Sequence, residues 1–229
     1  MRLLARSLGF VVFLALIAGG GKAALMWNTS RTDYAAAEAQ VAEAIAKGAT
    51  YVSLENVPAL RRLPDNLADM PDLRRLTVSD TLIRDLSPLA GAAQLEYLAV
   101  YNTRVSDLTP LAGLSKLTSL NIGKSRVRDL TPLVGLPALE RLDMADIEIL
   151  SLAPTERMAR LNWINLHGSY AEDGSKATYE RLSGTVAEVY NGSAFRQDYR
   201  PHPDWLRQTR WNRMAEDFGL PLPYPREET

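Results

Sequence analysis

Between Leu73 and Leu166 one pattern recurs at a spacing of 22 residues. Leu73, Leu95, Leu117, Leu139 and Leu161 form one column, and Leu76, Leu98, Leu120, Leu142 and Ile164 a second. Val78, Val100, Ile122, Met144 and Leu166 form a third. Ile83, Val105, Val127 and Ile149 keep the same step, as do Leu86, Leu108, Leu130 and Leu152, and then Pro88, Pro110, Pro132 and Pro154. A fixed period of about 20–50 residues signals a stacked repeat. One copy cannot bury its own leucines, so successive copies must stack and share an apolar column. With 46% hydrophobic and 23% charged residues, the chain has an ordinary globular balance from which to fill that column.

Within a copy, the alternation in Leu73-x-x-Leu76-x-Val78 suits a short strand with one buried face. Thr81, Thr103 and Ser125 follow, placed for their hydroxyls to bond backbone at the turn leaving the strand. Ser87-Pro88, Thr109-Pro110 and Thr131-Pro132 set a hydroxyl before a proline, which predicts the start of a short helix or 3₁₀ turn capped by that hydroxyl. Gly91, Gly113 and Gly135 are expected to end it.

The copies read L-x-x-L-x-L/V/I-x-x-T-x-I/V-x-D-L-x-P-L-x-G-L, most cleanly from Leu95 to Leu111. This resembles the leucine-rich repeat, and more narrowly the 22-residue bacterial variety of internalin-like proteins. The resemblance covers residues 50–168. It implies an α/β solenoid, a right-handed coil with a parallel sheet on its concave face, and a binding surface rather than an enzyme.

The segments outside the repeat are expected to export the chain and to close the stack. Arg2 and Arg6 precede the apolar run Leu8 to Ala18, and Gly21-Lys22-Ala23 offers small residues for cleavage. Residues 1–23 therefore read as a secretory signal, with an uncleaved membrane anchor over 8–21 as the alternative. The chain has no cysteine, which excludes disulfides, thiolate metal sites, cysteine nucleophiles and a lipoprotein anchor. Residues 31–49 are alanine-rich, and Gly48 is a stop signal, so a helix is expected with Tyr34, Ala37, Val41 and Ile45 on one face. That face is read as a cap on the first copy in preference to a membrane-seeking surface. Tyr51 to Met70 is an irregular first copy whose period slips, and the last copy decays at Ile147, Thr155 and Arg157. Residues 169–229 are assigned to a C-terminal helical cap and tail, with one helix from Ser175 to about Tyr190 and another from Asp204 to Phe218.

Stacked strands stand about 4.8 Å apart, so residues one period apart become neighbours on the exposed sheet. Three outward columns follow: Arg75, Tyr97, Ser119, Arg141 and Trp163; Thr77, Ala99, Asn121, Asp143 and Asn165; Ser79, Tyr101, Gly123, Ala145 and His167. Small residues at Ala99, Gly123 and Ala145 predict a shallow floor beside Tyr97, Tyr101 and Trp163, suited to a peptide or a sugar ring. The candidate partner-binding residues are Arg75, Tyr97, Tyr101, Asn121, Arg141, Asp143, Trp163, Asn165 and His167. The competing expectation is that these side chains only cover the sheet, with Arg141 paired to Asp143.

Other chemistry is less well supported. Asp85, Asp107 and Asp129 form a carboxylate ladder, better explained by local bonds to backbone amides than by a metal. Arg84, Arg104, Arg126 and Arg128 are expected to offset its charge. Neither His167 nor His202 has a second ligand at zinc spacing, and no cofactor is implied. Arg207, Arg210 and Arg213 recur at helical spacing and could meet an anionic surface or merely form a solvated helix face. A net charge of −1 gives no argument for nucleic acid. The expected role is non-catalytic binding of a protein or glycan in the bacterial envelope, periplasmic or tethered to the inner membrane. A tethered structural protein is the alternative, and an enzyme active after Gly168, through Glu172 and Asp173, the remaining one.

Overall fold

The computed structural model describes residues 29–54, 56–172, 182 and 188–190. Seven short parallel strands make one sheet: β1 (Tyr51–Ser53), β2 (Arg75–Thr77), β3 (Tyr97–Ala99), β4 (Ser119–Asn121), β5 (Arg141–Asp143), β7 (Trp163–Asn165) and β9 (Glu188–Tyr190), in that spatial order. β6 (Glu148–Ile149) and β8 (Tyr170–Ala171) form a separate two-stranded ladder. From β2 to β7 each residue pairs with the residue 22 further on: Leu76 with Leu98, Leu98 with Leu120, Leu120 with Leu142, Leu142 with Ile164. One copy is one coil, as the spacing requires. Between β1 and β2 the step is 24, with Val52 opposite Leu76, which is where the period slips.

Every aliphatic column of the repeat is buried in a single core. In β2, β4 and β5 the central residue points inward and is close to fully covered, while its two flanking residues face outward. Return segments run through 3₁₀ turns at Asp65–Asp69, Ser87–Leu89, Thr109–Leu111, Thr131–Leu133 and Ala153–Arg157. Proline in the first turn of the middle three supplies a preset φ and needs no hydrogen-bond partner.

The capping of these turns differs from expectation. The Ser87, Thr109 and Thr131 hydroxyls do not cap them, because each stands inside the turn. The carboxylates two residues earlier do that work: Asp85, Asp107 and Asp129 accept from the backbone N–H of Ser87, Thr109 and Thr131 at 2.8 Å. Hydrogen bonds from the Ser87 and Thr109 side chains, then from those amides, hold the Asp85 and Asp107 carboxyls below their ordinary range. The aspartate ladder is thus structural. Arg128 pairs with Glu148 and Glu172 instead of neutralising it.

Hydroxyls at the strand exits behave as expected. Thr81 donates to the Val78 carbonyl at 2.8 Å and Thr103 to Val100 at 2.7 Å, both buried. Where Ile147 breaks this column, Ser169 from the following coil donates to the Met144 carbonyl and accepts from the Ile147 N–H. Thr155, buried where earlier coils carry leucine, satisfies its hydroxyl on the Leu152 carbonyl at 2.6 Å.

The alanine-rich segment is helical over 29–46 (α1). It closes at Gly48 with the bonds Gly48 N–H to Ile45 and Ala49 N–H to Ala44. Ala37 and Val41 enter the core, with Tyr34 and Ala44 packed against it. Ile45, expected on that face, is 38% exposed. Polar pins fix α1 to the first coil: Asp33 accepts from the Ala59 N–H at 2.7 Å, Tyr34 Oη from the Asp65 N–H, and the Glu38 carbonyl from Asn66 Nδ2.

Leu182 is helical and buried, but the helix expected to reach Tyr190 ends earlier, since Glu188–Tyr190 pairs in parallel with β7 as an added strand. The remainder of that helix, the helix over 204–218 with Arg207, Arg210 and Arg213, and the signal or anchor segment lie outside the described residues. By internal contacts the chain divides after Phe195, and all of these strands, turns and α1 belong to the first unit. Among the described residues no helix is long and apolar enough to cross a membrane.

Candidate functional site

The outward columns are real. Arg75, Tyr97, Ser119, Arg141 and Trp163 stand in register on consecutive strands, and so do Thr77, Ala99, Asn121, Asp143 and Asn165. The third column continues past the strand ends. The carbonyls of Tyr101, Gly123, Ala145 and His167 accept from the N–H of Asp80, Asn102, Lys124 and Asp146 in the preceding coil. The structure thus brings all nine candidate residues onto one face. Tyr51 joins the first column through its pairing with Arg75 and is 65% exposed. The repeat pattern misses it because the first coil is two residues long of period.

The first column is built from stacked pairs. The Arg75 guanidinium lies over the Tyr97 ring, 4.9 Å from its centroid, and Arg141 lies over Trp163 at 4.5 Å. Lys124 sits 5.4 Å from the Tyr101 centroid. Such contacts contribute roughly 0.5–1 kcal/mol at exposed sites and fix the cation against the ring. The expected Arg141–Asp143 pair does not form. Arg141 turns to the next coil's indole, while Asp143 accepts from Asn165 Nδ2 at 3.1 Å, from Asn121 Nδ2 at 3.5 Å and from the Ala145 N–H.

Asn121, Asp143 and Asn165 therefore form a ladder with structural duties. Asn121 and Asn165 also accept from the Gly123 and His167 N–H groups at 3.0 and 2.9 Å. The shallow floor is partly occupied. A Cβ on Gly123 would stand 3.0 Å from the Tyr101 ring, so that ring lies across the glycine instead of beside it. Ala99 is buried beneath the face. What remains outward is a ridge of Tyr51, Arg75, Tyr97, Arg141 and Trp163, broken at Ser119.

One further column went unread in the sequence. Asp80, Asn102, Lys124 and Asp146 all adopt left-handed φ of 51–58°, and Gly168 continues them at 66°. Asx and Gly tolerate that region and Lys seldom does, so the single lysine hid the column. Asn102 Nδ2 bonds Asp80 across coils at 2.8 Å, and Lys124 pairs with Asp146 at 4.0 Å.

No family model and no curated protein matches the sequence. Among solved structures the chain is similar to internalin C2 of Listeria monocytogenes str. 4b F2365, at 32% identity, 47% of this chain and 52% of that one, with a TM-score of 0.43. It is also similar to internalin F of the same strain, at 20% identity, 64% of this chain and 55% of that one, TM-score 0.43. The plant peptide hormone receptor RGFR1, solved in complex with RGF2, aligns at 17% identity over 47% of this chain and 20% of its own, TM-score 0.39. The chain spans about half the length of either internalin. The fold is decided by the coil itself: one strand and one 3₁₀ turn per 22 residues, in unbroken register from β2 to β7. This is a leucine-rich-repeat solenoid. In this leucine-rich-repeat protein the outward columns are the surface free to vary, because the inward ones are committed to the core.

Proposed function

We propose that the protein is a non-catalytic binding module, exported to the bacterial envelope, that holds a protein partner on the outward face of its sheet. The observation that carries this reading is the ridge of Tyr51, Arg75, Tyr97, Arg141 and Trp163 on a rigid, hydrogen-bonded sheet. Tyr, Trp and Arg are the residue types that dominate protein interfaces energetically, and mounting them on strands reduces the entropy lost on binding. Protein is favoured over glycan because cations already lie on the Tyr97, Tyr101 and Trp163 rings, leaving less open ring face for a sugar. A displayed random peptide library and a glycan array, each presented to the full chain, test this. Enriched peptides should lose about tenfold or more in affinity to Tyr97→Ala or Trp163→Ala, with the thermal midpoint almost unmoved. Unchanged binding by both variants, or capture of sugars alone, would overturn the reading.

Export rests on Arg2, Arg6 and the apolar run after them. Mass spectrometry of the mature N-terminus separates its two forms. A chain beginning at Ala24 is released, an intact chain in the membrane fraction is tethered, and an intact chain in the cytosol contradicts export.

A further inference from the structure

We infer that the outward face takes an extended acidic peptide, seating two carboxylates four residues apart on Arg75 and Arg141. The inference rests on the binding-face reading above. Several other surface arginines are matched with carboxylates: Arg62 with Asp65, Arg74 with Glu96, Arg128 with Glu148 and Glu172, Arg160 with Glu140. Among the described residues, Arg75 and Arg141 are in no ion pair and lie instead on the rings of Tyr97 and Trp163. A ring covers the plane of a guanidinium and leaves the N–H groups along its edge available. Held in that way, the planar fork is set to receive a carboxylate in two parallel bonds.

Between β2 and β7 the face carries no free acid to compete. From β2 to β7 the three columns carry one carboxylate, Asp143, which is enclosed by two side-chain amides and a backbone N–H. Three coil steps separate Arg75 from Arg141, which is about 14 Å of backbone. An extended peptide rises about 3.3 Å per residue, so positions i and i+4 stand about 13 Å apart and point the same way. Strands β2 to β5 are hydrogen-bonded on both sides, so the peptide gains no strand edge and must be held through its side chains. A polyanion with closely repeated charges would lay some of them over Ser119, where the column has no cation.

Fluorescence anisotropy on the full chain tests this with peptides in an extended Thr/Val host. One carries Glu at i and i+4, one Gln at both positions, and one Glu at i and i+3, which point to opposite sides. The i, i+4 Glu peptide should bind about tenfold or more tighter than the other two. Arg75→Gln or Arg141→Gln should each remove about tenfold, and added salt should weaken binding. Arg74→Gln, off the face and already paired, should change nothing. Equal binding of the Glu and Gln peptides, or no loss in the arginine variants, overturns the acidic class. Heparin binding as tightly through the same two arginines overturns the peptide in favour of a polyanion. Peptides that respond to Tyr97→Ala but not to the arginine variants leave the face intact and only its chemistry wrong. Peptides that respond to neither remove both.

Discussion

The middle coils and the end coils solve the same problem by different means. In the coils of β2 and β3 each strand exit is satisfied from within: Thr81 and Thr103 bond the carbonyl three residues back, and leucine columns pass from coil to coil without interruption. At the ends that self-sufficiency stops. The first coil is pinned to α1 by Asp33, Tyr34 and Glu38, groups about 30 residues away that belong to no repeat. The last full coil borrows the hydroxyl of Ser169 from its successor. In a stack held by nearest-neighbour contacts, an interior coil has two partners and a terminal one has a single partner. Polar ties and caps make up the difference where the apolar column runs out.

The largest expected effect lies in the middle. Leu120, 1% exposed and flanked by Leu98 and Leu142, loses its contacts on two sides when replaced by Ala. Leu120→Ala should cost about 2–5 kcal/mol and lower the denaturation midpoint of the whole stack in one cooperative transition. Calorimetry showing the end coils melting at their original temperature would mean that the coils are energetically separate. Ser169→Ala should have a smaller effect in a different place. It strips partners from the Met144 carbonyl and the Ile147 N–H, costing about 1–3 kcal/mol. Amide exchange should quicken around 144–171 while β3 keeps its protection. Equal loss of protection in β3 would erase the distinction between ends and middle.

How much of this could be seen in the residues alone follows the same division. The buried columns and the outward register were visible because identical side chains at identical spacing have identical environments. The ends were less so. Tyr51 entered the ridge unseen because β1 pairs at a step of 24. Glu188–Tyr190 read as the end of a helix because Val186, Val189 and Tyr190 fit a helical face, and no repeat letter marks it as a strand. On the face itself, position was visible but partnership was not. Whether Arg141 turns toward Asp143 or Trp163 depends on side-chain geometry, and the two neighbouring amides that occupy Asp143 settle it. The turn caps were misread for a related reason. Ser-Pro and Asp-x-Ser each offer the first turn a side-chain acceptor, for different amides, and only the fold shows that Asp85, Asp107 and Asp129 are the ones used.

Glycine gives the finest contrast between the two regions, since here the prominent residue is dispensable and the inconspicuous one is not. Gly113 recurs in the repeat with Gly91 and Gly135, yet its φ lies outside the left-handed region and a Cβ added there would meet no atom within 4 Å. Gly113→Ala should therefore stabilise by about 0.4–1 kcal/mol, chiefly by restricting the unfolded chain. Gly168 closes the left-handed column at φ 66°, and a Cβ there would fall 2.0 Å from Asp146 Oδ1. Gly168→Ala should destabilise by about 1–2 kcal/mol. Asp146 is an exposed side chain, so adding Asp146→Ala should relieve the clash while leaving the backbone strain. The double variant should recover only part of the loss in chemical denaturation. Full recovery would mean that the left-handed turn is imposed by the carboxylate and not by the stacking of coils. A destabilised Gly113→Ala would show that the middle coils tolerate no more change than the ends.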